Sequence, residues 1–126
     1  MTTRSRARVT QRVTIDDLAD LVSNPQRAAL AFSTSNGPEC VPVVVRSTDR
    51  FEVGLDRHAL DGVNVPDRAT LVVDDGRYWF ELRAIVRRGE LRRVPANNES
   101  LIVRFTFETH TSAAWDYGAL HEERQS

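Results

Sequence analysis

Leu101-Ile102-Val103-Arg104-Phe105-Thr106-Phe107-Glu108 is the stretch whose reading decides the fold. Leu101, Val103, Phe105 and Phe107 read as inward-facing, against Arg104, Thr106 and Glu108 outward. A period of two sends successive side chains to opposite faces of a strand, so this segment has one dry and one wet face, as in an antiparallel sheet. Upstream, Phe80, Leu82, Ala84 and Val86 alternate with Glu81, Arg83 and Arg87, which predicts a longer strand of the same kind. Arg88-Gly89 predicts a bulge or bend within it, after which Leu91 and Val94 resume the pattern. Pro95 to Ser100 reads as the loop between the two strands.

Four further strands lie upstream: Arg27 to Ser35, Cys40 to Ser47, Phe51 to Leu55 and Ala69 to Asp74. Asn36-Gly37-Pro38, Asp49-Arg50 and Asp75-Gly76 supply the turns. Asp74 and Asp75 are adjacent, so they point apart and read as turn residues, not as a catalytic pair. Asp56 to Asp67 forms a loop or short helix that interrupts the meander. Before the strands, Ile15, Leu18, Leu21 and Val22 fall on one helical face, with Thr14 as N-cap, Asp17 as its capping-box partner and Asn24-Pro25 as the stop. This helix plugs or flanks one end of the sheet. Residues 1–12 read as a basic arm, 13–118 as one domain and 119–126 as a charged tail. Six short strands with two bends predict a mainly β, closed or nearly closed barrel, with a two-sheet sandwich as the competing architecture. The 56–67 connection favours the barrel.

The chain has 126 residues, 40% hydrophobic and 28% charged, with a formal net charge of -1. That composition is globular, and the balance gives no overall field that would gather nucleic acid or an acidic membrane. No apolar run approaches the roughly 20 residues of a bilayer span, and the first residues lack the apolar core of a secretory signal, so the expected address is the cytoplasm. All 17 basic residues are arginine, which excludes Schiff-base chemistry and a phosphate-binding loop lysine. Phosphate would fall to guanidinium forks, hydroxyls or backbone N–H groups. Cys40 is the single cysteine and reads as a small buried hydrophobe, excluding an intramolecular disulfide and a thiolate cluster. His58, His110 and His121 have no metal-ligand spacing, and no metal site is expected. Arg87-Arg88 and Arg92-Arg93, beside Glu81 and Glu90, read as a solvated face, with no nucleic-acid partner.

Several segments in this order carry a resemblance: the short helix, Leu30-Ala31-Phe32-Ser33, the Asn36-Gly37 turn and Val41-Pro42-Val43. They are followed by a loop with Asn64, then Leu71-Val72-Val73-Asp74-Asp75 and the Arg88-Gly89-Glu90-Leu91 bend. From about Ile15 to Gly118 the chain resembles the pyridoxamine-5′-phosphate-oxidase-like family of flavin-binding split barrels. The resemblance implies a six-stranded antiparallel split β-barrel, a homodimer, and FMN or the deazaflavin F420 bound between subunits. It lays the flavin ring along Val43 to Arg46 and puts the phosphate near Arg57 and His58, with Asn64 further along. Asp61 stands where flavin-binding members often carry a lysine, and a carboxylate repels a phosphate dianion. The helix usual before the last strand is reduced to residues 95–100.

The candidate cofactor-binding residues are therefore Val44, Val45, Arg46, Ser47, Arg57, His58, Asn64 and Trp115. Arg46-Ser47 and Arg57-His58 end consecutive strands and could converge on one anion, or could simply be solvated strand ends. His58 could also act as an acid or base near neutral pH. Trp115 and Tyr117 could wall a cofactor, or Trp115 could anchor the C-terminus or pack in a dimer interface; Trp79 reads as core or interface. The function expected is a flavin- or deazaflavin-dependent oxidoreductase acting on a small molecule, in which the cofactor carries the hydride. The alternative is a cofactor-free split-barrel dimer with a binding or structural role.

Overall fold

In the computed structural model the described residues are 12–25, 27–47, 51–76, 82–95 and 100–116. The arm before Arg12, the Asp49-Arg50 turn, Trp79 to Glu81, residues 96–99, Tyr117 and the tail with His121 lie outside them. The strands are β1 (Arg12–Val13), β2 (Arg27–Thr34), β3 (Gly37–Pro42), β4 (Val44–Ser47), β5 (Phe51–Asp56), β6 (Arg68–Asp74), β7 (Arg83–Arg93) and β8 (Ile102–Asp116). They form one antiparallel sheet in the order β3-β2-β6-β7-β8-β5-β4, with β1 added to β8. The sheet curls until its two ends meet in the chain itself. Val43, between β3 and β4, donates its N–H to the Ala28 carbonyl at 3.0 Å, while β3 pairs with β2 and β4 with β5. The six expected strands are all present, the second broken at Val43. This is the mainly β split barrel.

Alternation of apolar residues accounts for the core. Leu30, Val53, Leu55, Leu71, Ile85 and Ala114 are fully enclosed, and Val103, Phe105 and Phe107 of β8 join them. Leu101, expected inside, is 66% exposed because it precedes β8 and escapes the pleat. In β7 the dry face is Ile85 and Leu91, while Ala84 and Val86 are only half-buried, so the expected phase is corrected by one residue. Its neighbours explain this: Ile85 lies between Val73 of β6 and Ala114 of β8, all three buried.

The expected irregularity at Arg88-Gly89 is present, and it also governs β8. Gly89 faces Thr109 and Arg88 faces Thr111, leaving His110 as the extra residue. Val103, Phe105 and Phe107 of β8 are buried before this β-bulge, and Ala114, an even-numbered residue, is buried after it. A Cβ on Gly89 would run into the Glu108 carbonyl, so glycine is required at this crossing. Past the bulge the strand continues to Asp116. Cys40 is exposed, a second correction: on β3 it is Val41 that points inward, and its neighbour necessarily points out.

A 3-10 turn (Ile15–Leu18) leads into α1 (Ala19–Ser23). Asp17 accepts hydrogen bonds at 2.9 Å from the Thr14 backbone N–H and from its hydroxyl, which hold the Asp17 carboxyl below its ordinary pKa. Leu18 and Leu21 seal the core, with Ile15 and Val22 packed beside them. Arg83 fastens this cap by donating to both oxygens of Asp20, at 3.0 and 2.8 Å, and through Nε to Asp75 at 3.0 Å. The Asp75 side chain is only 3% exposed, so beyond marking the turn it is the buried anchor of that arginine.

Candidate functional site

Two cavities flank the end of β5, one on each face of the sheet. The first is a groove of about 300 Å³ on the outer face of β4, β5 and β8. Strand pairing builds its floor: Val44 lies opposite Gly54, and Gly54 opposite Arg104. One step along each strand, Arg46 faces Glu52 on one side, and Ile102 faces Asp56 on the other. Val44 and Ile102 are 62% and 43% exposed, unusual for large aliphatic side chains in a sheet. Between them Gly54 leaves bare backbone. An added Cβ would stand 3.1 Å from Ile102 Cγ2, tighter than ordinary contact. Among the described residues, Arg46 and Arg104 at this groove form no ion pair.

The second cavity, about 510 Å³, is the mouth of the barrel, overhung by the loop from Leu60 to Asp67. Leu91, Val103 and Phe105 form its floor, and Arg57, Asp61, Asn64, Asp67 and Arg93 its rim. A 3-10 turn (Arg57–Leu60) carries the rim arginine, and its cap is Asp56, whose carboxylate accepts from the His58 N–H at 2.8 Å. Arg57 is already engaged: its Nε donates to the Ser100 carbonyl at 2.7 Å and its backbone N–H to Leu101 at 2.8 Å.

The fold thus divides the expected site residues. Val44 and Arg46 share the groove, whereas Val45 points to the opposite face and packs against the core. Ser47 ends β4 opposite Phe51. Arg57 and Asn64 share the mouth with Asp61, and His58 is exposed beside it. Trp115 is half-buried, paired with Ala84 and Arg12, near the far end of β8 from Ile102. Sequence reasoning missed Gly54, Ile102 and Arg104. The available signal was a glycine inside the alternating run Phe51 to Leu55, since glycine in a strand interior marks a close approach.

Elsewhere, Arg87 is half-buried and lies 5.3 Å from the Phe51 ring centre, and burial lowers its pKa. At the bulge, Glu90, Glu108 and His110 bring side-chain donor atoms within 4.8 Å of one another. Glu108 and His110 are well exposed, and His110 Nε2 stays 3.8 to 3.9 Å from both carboxylates, beyond hydrogen-bond distance.

No sequence model of a known family matches the chain, and no curated protein matches it by sequence. Solved structures do match. A conserved hypothetical protein of Mycobacterium tuberculosis superposes with a TM-score of 0.66 at 16% identity, over 90% of this chain and 91% of that one. An FAD-binding protein of Mesorhizobium loti gives 0.62 at 11% identity, over 86% and 99%. A protein provisionally assigned as a pyridoxamine 5′-phosphate oxidase from Corynebacterium glutamicum gives 0.60 at 8% identity, over 84% and 91%. At such identities the likeness is one of fold alone, the split barrel.

Proposed function

We propose that the chain is a flavin- or deazaflavin-binding oxidoreductase that works as a homodimer in the cytoplasm. The observation that carries the reading is the groove on β4, β5 and β8: a strip of bare backbone at Gly54 between two exposed aliphatic side chains, with Arg46 and Arg104 alongside. A flat conjugated ring fits a strip that a single Cβ would obstruct, and guanidinium groups suit a phosphorylated tail. FMN and F420 both combine these parts. FAD-binding proteins among the structural neighbours lend support at the level of fold.

In this reading Val44 and Ile102 would hold the ring by apolar contact and exclude water from it, with Gly54 of β5 leaving room between them. Arg46 and Arg104 take the phosphoryl oxygens. Arg57 serves the barrel mouth instead, tied through its Nε to the Ser100 carbonyl. When bound, the cofactor accepts and donates the hydride, so no protein nucleophile is needed. Val44, Ile102 and Leu101 would be covered in part by the second copy, with Trp115 of one protomer available to wall the ring on the other.

The test is direct. The full chain is titrated with FMN, riboflavin and F420, following ligand fluorescence and thermal midpoint. Saturable binding of a phosphorylated flavin with a rise in the midpoint supports the reading. No binding and no shift with any of the three overturns it in favour of the second reading, a cofactor-free dimer, which the carboxylates Glu52 and Asp56 in the groove lining favour. Sedimentation equilibrium at micromolar concentration tests the dimer.

A further inference from the structure

We propose that Gly54 is the residue that decides which ligands the outer groove admits, with Ile102 as the wall against which that choice is made. The inference rests on the flavin reading and adds to it a positioning and specificity role for a residue with no functional group.

The geometry is specific. Gly54 occupies the middle of a three-strand row, with Val44 on one side and Arg104 on the other. It is therefore the low point of the outer surface, flanked by a large aliphatic and a long cationic side chain. Its backbone does not lie in the left-handed region, so nothing in the local conformation calls for glycine. The single close contact of an added Cβ is side chain, not backbone: Ile102 Cγ2 at 3.1 Å, with the Val44 carbonyl at a comfortable 3.9 Å. Alanine is consequently tolerable to the fold, since Ile102 is partly exposed and needs to yield only a few tenths of an ångström. The strip above β5 is less forgiving. The methyl group stands in it, and any shift of Ile102 alters its wall.

A glycine kept for folding and one kept for a ligand give opposite results on substitution. Glycine in a strand interior costs stability relative to alanine, because it loses more backbone entropy and packs nothing. If Gly54 served the fold alone, Gly54→Ala would change the thermal midpoint through the Ile102 contact and leave ligand affinity alone. If it shapes the groove, the midpoint of the apoprotein stays level or rises while affinity falls.

The experiment compares wild type, Gly54→Ala, Ile102→Ala and the double variant, measuring FMN and riboflavin dissociation constants and the thermal midpoint of each apoprotein. The expected result is at least a tenfold loss of affinity for both ligands in Gly54→Ala, with the apoprotein midpoint unchanged or raised. In the double variant the added methyl group still stands in the strip, so affinity stays at least about threefold below that of Ile102→Ala. Equal affinities in wild type and Gly54→Ala overturn the role of Gly54 and leave the flavin reading standing. Absence of FMN, riboflavin and F420 binding alike in wild type overturns both.

Discussion

The groove outside the sheet and the mouth inside the barrel are separated by the end of a single strand, yet their arginines differ in what they are free to do. At the mouth, Arg57 spends its Nε on the Ser100 carbonyl and shares the rim with Asp61 and Asp67. At the groove, Arg46 and Arg104 have no ion-pair partner among the described residues, and the floor between them is apolar. The same side chain is a structural tie in one place and an available cation in the other. The floors differ as well. The mouth rests on core residues Leu91, Val103 and Phe105, whereas the groove rests on Val44, Gly54 and Ile102, which the core does not need.

The largest effect is expected from the mouth. Phe105→Ala removes a buried ring and should cost about 3–5 kcal/mol in urea unfolding, as large-to-small core changes do. A loss below about 1 kcal/mol would break the distinction between the two floors. Next is Arg104→Gln, which should weaken FMN about tenfold and riboflavin less than threefold, with stability within about 0.5 kcal/mol of wild type. Equal losses for both ligands would remove the phosphate from Arg104. Arg57→Gln should then reverse that pattern, costing about 1 kcal/mol of stability through the lost bond to Ser100 while leaving FMN affinity within about threefold. Should FMN affinity collapse instead, the phosphate belongs at the end of β5, as the family resemblance has it.

The smallest effect extends the comparison to a fourth arginine, also a tie. The hydrogen bonds from Arg83 hold the Asp20 carboxyl below its ordinary pKa. A depressed folded-state pKa contributes stability above the ordinary carboxylate value, and that contribution is lost as pH falls through the lowered value. Wild type should therefore lose stability below about pH 4 more steeply than Asp20→Asn. Parallel profiles of thermal midpoint against pH would show that this exposed pair contributes nothing.

Much of the barrel was legible because alternation is a local property: β2, β5, β6, the bulge at Gly89 and the capped turn at Thr14 all follow from neighbours in sequence. The errors arose where a partner strand decides. Ile85 reads as an interruption among Ala84, Val86 and the arginines until Val73 and Ala114 close on it. Cys40 reads as buried until Val41 takes the inward place. The bulge was visible, but not its effect on β8, since the residue it inserts, His110, lies some twenty positions away. The site was legible in part for the same reason. Val44 and Arg46 sit in one strand, but the groove also needs Gly54, Ile102 and Arg104 from two others, and no spacing in the chain announces that row.

Val43 joins the two margins of the sheet. A curled sheet has two outer strands, and here they are successive lengths of one backbone stretch, bound to β2 before Val43 and to β5 after it. Neither margin can peel away without tugging on its opposite, and the row that carries the proposed ligand begins one residue past this seam. Fraying that would elsewhere be local therefore has to break pairings on both sides of the seam at once.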